Sequence, residues 1–482
     1  MKIKIKYHYK LLILILGIAF IATGFLGDDK NGIHPPKPFY KLSNATSGKV
    51  GDAYGMNVNN IWLPLNRKGI IADVDVPPNG SGGQFAGGTF LFSSGFFLSG
   101  YRSGQLWANA CASATLVEDY VQGVVGGQND PNAVLYVVNS QDEPFGQSWQ
   151  DWKDAVALGA DFVDGDGDGI YNPVDKNGNG SYDLDEDMPD LIGDEVVWCV
   201  YNDGLPVAQR RWNTSLQVGV EVRQSVFAFA SAGAIGNLVF VRFRFKYVGL
   251  TAGDPDSLTN VYFGVWADPD VGDHTDDLVG VDVPRNAGYT YNKQNDGVYG
   301  PQVPCFMIDF FSGPRVPGAA TDTATSVRGQ FKGIQYFPGY RNLPISSFVE
   351  YINGDANLND PGTKEEARFY MEGRTRQGDI PDPCTWPYGN ANNFSGCDTT
   401  DARFWFSGDP VTETGWLCAN EVDQRQMTNT GPFTLYRDNE ANRQAGNLIE
   451  NEIVVAYVVG RGSNPLDGIT KARAIDDGAQ YI

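Results

Sequence analysis

The chain has 482 residues, 42% of them hydrophobic, and a formal net charge of −22. An acidic excess of that size repels nucleic acid and anionic membrane surfaces, so neither is an expected partner. With 58 glycines, 27 prolines and 12% aromatics, many turns between aromatic-rich strands are expected rather than a helical bundle.

Residues 1–24 read as a secretory signal: Lys2, Lys4, Lys6 and Lys10 precede an apolar run from Leu11 to Ile21, and Ala22-Thr23-Gly24 offers small residues for cleavage. The run is short for a membrane span, although an uncleaved anchor is the competing reading. Removing four lysines takes the charge from −22 to −26. The expected location is secreted or cell-surface, with no membrane insertion after cleavage.

Four further regions are expected: a β-rich region over 25–160, a metal-binding ribbon over 161–194, a β-sandwich core over 195–320, and a C-terminal β-rich region over 321–482 ending in a short helix. In the first of these, Phe90, Phe92, Phe96 and Leu98 lead to a turn at Arg102-Ser103-Gly104 and a return through Leu106, which predicts a β-hairpin or meander. The glycines from Gly80 to Gly83 lack phosphate-loop spacing. Trp149, Trp152, Ala155 and Val156, three and four apart, predict a short amphipathic helix docking the next segment to the body. An aromatic sugar platform is the other reading of these tryptophans.

The stretch from Asp161 to Asp187, DFVDGDGDGIYNPVDKNGNGSYDLDED, carries the most specific pattern in the chain. Asp164, Asp166 and Asp168 stand at positions 1, 3 and 5 of a loop. Gly169 stands at 6, Ile170 at 7 for its carbonyl, Asn172 at 9 and Asp175 at 12. Asp175 also opens a second loop, continued by Asn177, Asn179, Gly180, Ser181, Asp183 and Glu186 at positions 3, 5, 6, 7, 9 and 12. Oxygen ligands at those intervals wrap a hard cation that takes six to eight of them, so Ca²⁺ is the expected cofactor, ahead of octahedral Mg²⁺. A shared residue leaves no room for a helix between the loops, and Pro173 disfavours one within the first. A solvated acidic linker is the plain alternative. The segment resembles the thrombospondin type 3 repeat over about 25 residues and the dockerin loop more loosely, which implies a continuous calcium-wrapped ribbon.

Beyond the ribbon, Leu216, Val218, Val220 and Val222 alternate with polar or small residues, as do Val239, Val241, Phe243, Phe245 and Tyr247. With Val261 to Trp266 they predict a mainly β fold, an antiparallel β-sandwich with few short helices. The row Arg242, Arg244, Lys246 reads as paired with neighbouring carboxylates or as an anion site. Asp268, Asp270, Asp273, Asp276 and Asp277 crowd the loop after a strand and form a second candidate cation site; a solvated loop is the alternative. Ile453 to Val459 predicts a buried strand and Leu466 to Ala474 a helix. Among six cysteines, Cys384 and Cys397 are the favoured pair, while Cys111 and Cys199 read as buried thiols.

The order DGDGDGIYNP, WADPDVGDHTDDLVGVD, AGYTYN, FSGDPVTETGW, TGPFTL and IVVAYVVGRGSNPLDGIT resembles a group of large, mostly uncharacterised secreted proteins of Bacteroidota, Ignavibacteria and related bacteria. Members of the group usually end in a type 9 secretion sorting domain. The similarity spans roughly 50–480 and implies an exported or surface-attached protein. It brings no catalytic residues; the fibronectin-like module and sorting domain are not among these 482 residues.

The expected function is therefore a calcium-binding extracellular β-protein with a structural, adhesive or matrix role. Calcium, extracellular polysaccharide and cell-surface proteins are its expected partners. The competing class is a secreted polysaccharide hydrolase or a carbohydrate-binding protein using tryptophans among Trp107, Trp149, Trp386, Trp405 and Trp416. After cleavage only His34 and His274 remain as histidines, and neither sits in a nucleophile motif. A glycosidase needs only two carboxylates, which sequence leaves open. No catalytic residue is named.

Overall fold

The computed structural model describes residues 47–111, 119–390 and 394–480. The signal segment and His34 lie outside them.

The protein is mainly β, and its named strand pairs are antiparallel. Ten strands form the larger sheet, whose main path runs Gly48–Gly51, Leu135–Asn139, Glu195–Asn202, Val220–Ala228, Leu238–Tyr247, Glu450–Arg461, Pro304–Ser312, Ala287–Tyr291 and Leu278–Asp282. The short strand Val121–Gln122 also pairs with Glu195–Asn202. A second sheet has the order Ser347–Ile352, Gln424–Tyr436, Ser257–Asp268, Ser93–Arg102 and Gln105–Ala110. Both sheets draw strands from either side of the ribbon and from the C-terminal region. Strand pairing thus crosses every boundary drawn from sequence between 25 and 482.

The alternation in Leu238–Tyr247 explains how the sheets meet. Val239, Val241, Phe243, Phe245 and Tyr247 are all fully buried. Phe243 and Phe245 lie 5.2 and 5.7 Å from the Phe96 ring and 5.4 and 5.6 Å from Phe263, both on the second sheet. Phe263 also meets Phe310 at 5.9 Å. Offset and edge contacts of this kind add about 0.5–1.5 kcal/mol per pair beyond area burial. Ser94 Oγ and the Tyr457 hydroxyl, 2.7 Å apart, make a polar link between the same two sheets.

The hairpin is present as Ser93–Arg102 and Gln105–Ala110, with Arg102 opposite Gln105 across a two-residue turn. Ser103 and Gly104 both have positive φ there, 49° and 79°, as a type I′ turn requires. The alternation begun at Leu216 is not a strand until Val220. The Asp203 carboxylate takes the amides of Val218, Gly219 and Val220 at 2.6, 2.9 and 3.0 Å. A side chain thereby holds donors that a sheet ladder would otherwise use. Helices are few and short. Gln147–Ala157 buries Trp149, Trp152 and Ala155, and Pro465–Ala479 packs Ile469 and Ala472 inward. Cys384 and Cys397 form a disulfide with Cα atoms 5.0 Å apart. Cys199, Cys305 and Cys418 are buried thiols, and Cys111 donates to the Lys68 carbonyl.

Candidate metal loops

The ribbon leaves and rejoins the body through a two-residue antiparallel pairing, Phe162 opposite Pro189 and Val163 opposite Met188. Its base is clamped by charge. Arg244 donates to Asp161 at 2.6 Å and Arg328 to the same oxygen at 3.2 Å, while Arg242 donates to Asp190 at 2.8 Å. Burial raises the cost of the Asp161 charge, but Arg244, Lys332, Arg242 and Arg328 together hold that carboxyl well below the usual range. The Arg242 and Arg244 row is thus paired with carboxylates at the ribbon's two ends, and Lys246 pairs with Asp438 at 2.6 Å. The predicted helix does the rest: Trp149 packs edge-on against Tyr182 at 6.1 Å, and its carbonyl accepts the Tyr171 hydroxyl at 3.0 Å. Gln150 reaches the Pro173 carbonyl at 3.1 Å.

Within the ribbon one wiring pattern occurs twice. Asp164 accepts the amides of Gly167 and Gly169 at 2.9 and 3.0 Å. Eleven positions on, Asp175 accepts those of Gly178 and Gly180 at 2.6 and 2.7 Å. Gly169 and Gly180, the sixth residues of the two loops, have φ of 77° and 73°, where a side chain is strained. These amides, Gly180 first, hold the Asp175 carboxyl below its ordinary range.

The closing carboxylates complete the parallel. Glu186 takes the Lys176 amide at 2.7 Å through Oε1 and the Asp183 amide at 2.8 Å through Oε2. These are the second and ninth residues of the second loop. In the first loop the same two places are Gly165 and Asn172, and their amides go to Asp187, at 3.1 Å through Oδ1 and 2.8 Å through Oδ2. Glu186 and Asp187 are both buried. The sequence assigned the twelfth place of the first loop to Asp175. In the structure Asp187 accepts the second- and ninth-residue amides of the first loop, while the hydrogen bonds to the Asp175 carboxylate come from amides of the second. Gly165 must lack a side chain, because a Cβ there would lie 2.0 Å from the Glu186 carbonyl oxygen.

Oxygens of Asp164, Asp166 and Asp168 lie within 4.8 Å of one another. Lys176 Nζ sits 3.1 Å from Asp166, and that hydrogen bond, with the Asp168 amide, lowers the Asp166 carboxyl. Asn177 and Asn179 each donate a side-chain amide to Asp183, at 2.7 and 2.9 Å. Asn179 Oδ1 in turn accepts the Ser181 amide at 2.7 Å. The Ile170 side chain is exposed, leaving only its backbone as a candidate donor. The candidate ligands in these loops are hard oxygens, the donor type calcium takes, while Lys176 Nζ and the Asn177 and Asn179 amides occupy some of their lone pairs.

The acidic loop after Trp266 divides. Asp268 and Asp270 have oxygens within 4.8 Å of Asp423, a residue the sequence reading did not include. The other three turn elsewhere: Asp273 accepts the Thr275 amide at 3.0 Å, Asp276 accepts the Asn292 side chain, and buried Asp277 accepts the Val271 amide at 3.2 Å. Among the tryptophans named for sugar binding, Trp107, Trp149, Trp405 and Trp416 are buried and Trp386 is half-buried.

Antiparallel β-sandwich describes the class of the molecule. No family model matches the chain, and no curated protein matches it. Among solved structures, an Aspergillus nidulans amine oxidase is similar at 10% identity and a TM-score of 0.30, over 90% of this chain and 55% of that one. The chain thus spans about half the length of that structure. A likeness this weak carries no argument about activity.

Proposed function

We propose that the protein is a secreted or cell-surface calcium-binding β-protein with a structural, adhesive or matrix role. The observation that carries the reading is the doubled wiring of the ribbon. In each loop one aspartate gathers the amides of the fourth and sixth residues, and one buried carboxylate gathers those of the second and ninth. Carboxylates fixed in that way keep further lone pairs for a cation, and their mutual repulsion favours taking one. Extracellular calcium modules bind at about 10⁻⁴–10⁻³ M, a range suited to a surface protein and not to an intracellular sensor.

Titration calorimetry with calcium on the full chain and on an Asp164→Asn/Asp175→Asn double variant tests this. The expected result is millimolar-range binding by the natural sequence that falls in the double variant. No binding by the natural sequence at millimolar calcium would overturn the reading.

A further inference from the structure

At one end of the second sheet, strand Ser257–Asp268 finishes beside the start of strand Gln424–Tyr436, with Ala267 opposite Gln426. That register brings Asp268 and Asp270 to Asp423, their carboxylate oxygens within 4.8 Å of one another. Asp268 is only 5% exposed, and its Oδ1 accepts no hydrogen bond among the described residues. The cluster therefore has a buried corner whose lone pairs are unused, which is unfavourable for a polar group taken out of water.

The cation already present does not balance the site. Arg425 forms an ion pair with Asp268 Oδ2 at 3.0 Å, lies 3.7 Å from Asp423, and is shared with Asp360 at 4.0 Å. One guanidinium thus faces more carboxylates than it can neutralise. Burial, then Asp423 and Asp270, push Asp268 up to about 8 against the pull of Arg425. Burial and Asp423 push Asp270 up to about 6, with His274 and Arg425 opposing.

The geometry points to a divalent-cation site, separate from the ribbon, in which Asp268, Asp270 and Asp423 supply carboxylate oxygens to a hard ion of the calcium type. The ligands come from two adjacent strand ends, so the ion ties the acidic loop to the second sheet. Asp273 and Asp276 are engaged with Thr275 and Asn292, and Asp277, whose Oδ2 accepts the Val271 amide, lies outside the cluster of three oxygens.

The test counts calcium by equilibrium dialysis on the full chain carrying Asp164→Asn and Asp175→Asn, with and without Asp423→Asn. The expected result is one further calcium per chain that the ribbon double variant keeps and the triple variant loses. Retention by the triple variant, or no retention by the double variant, overturns the proposal. Asp423 is half-buried and Asn is its isostere. Stability is read alongside, on the Asp423→Asn single variant. In chelator its melting temperature should rise, because one repulsive charge is gone, and added calcium should raise it less than in the natural sequence. A fall in chelator would mark Asp423 as an ordinary structural partner of Arg425 and sink the idea. If the ribbon reading fails instead, the natural sequence and the ribbon double variant bind alike, and the Asp423→Asn comparison still counts this ion.

Discussion

Glu186 and Asp187 are neighbours in the chain, yet their carboxylates serve different loops. Removing either should therefore damage one loop and leave the other nearly intact. Asp187→Asn is expected to weaken the first loop by about tenfold, or about 1.4 kcal/mol, with Glu186→Gln doing the same to the second. Asp175→Asn should behave like Glu186→Gln, because its carboxylate meets only amides of the second loop. Two-site calorimetric fits decide this, and equal weakening of both loops by Asp175→Asn would restore a ligand shared between them. Sequence spacing located most of these residues but not Asp187. A twelve-residue template counts along one loop, whereas Asp187 acts from beyond the end of the next. Asp423 was hidden for a related reason, since only strand register brings it to Asp268.

The ribbon is held firmly at its base and lightly along its length. Arg242, Arg244 and Arg328 grip its two ends, and Trp149 packs on Tyr182. Residues Asp166 to Val174 and Asn177 to Ser181, by contrast, are largely exposed. An ion that binds only the ordered ribbon stabilises it by mass action, roughly 2.7 kcal/mol at a hundredfold excess over the dissociation constant. Calcium chelation should thus admit proteases between Asp166 and Leu184 while the sandwich stays intact, as mass mapping of limited digests would reveal. Simultaneous loss of ribbon and body would contradict it. Period-two alternation made Leu238–Tyr247 legible because one face is continuously buried, and the apolar run Ile453 to Val459 marked Glu450–Arg461, which is buried on both faces. The same pattern misled at Leu216, where Asp203 captures the amides. Periodicity reports which side chains can face a core and does not show which acceptor wins the backbone.

Across the whole molecule, buried carboxyls are numerous and of two kinds. Burial pushes Glu195 up to about 7, although the Tyr54 hydroxyl and Asn139 side chain pull against it. It also raises Glu350 and Asp309, the latter sharing a hydrogen bond with Asp476. A carboxyl whose folded value lies above its unfolded one favours the fold at low pH, and that contribution is lost as pH rises through the folded value. Asp161 and Glu452 are lowered, so their contribution is present above the ordinary carboxylate range and lost in acid. Stability should accordingly peak near the lower carboxylate range and decline from about pH 5 to 8. Glu195→Gln should flatten part of that decline, by at most about 3 kcal/mol. Melting curves across pH check it, and parallel profiles for variant and natural sequence would refute the role of Glu195. Strand content and antiparallel pairing were legible from composition and alternation. The interleaving of the sheets was not, because pairing partners are chosen by the whole chain.

Strand Glu450–Arg461 lies between Leu238–Tyr247 and Pro304–Ser312, joining the two halves of the larger sheet although it comes late in the chain. A polypeptide emerging N-terminal end first from a ribosome presents those two flanking strands as open edges until this segment arrives. Open edges are templates for pairing with other chains, and closing so long a loop is slow. Completion of the larger sheet therefore waits for residues 450–461. Chains ended before that segment should be prone to aggregate instead of forming smaller folded proteins.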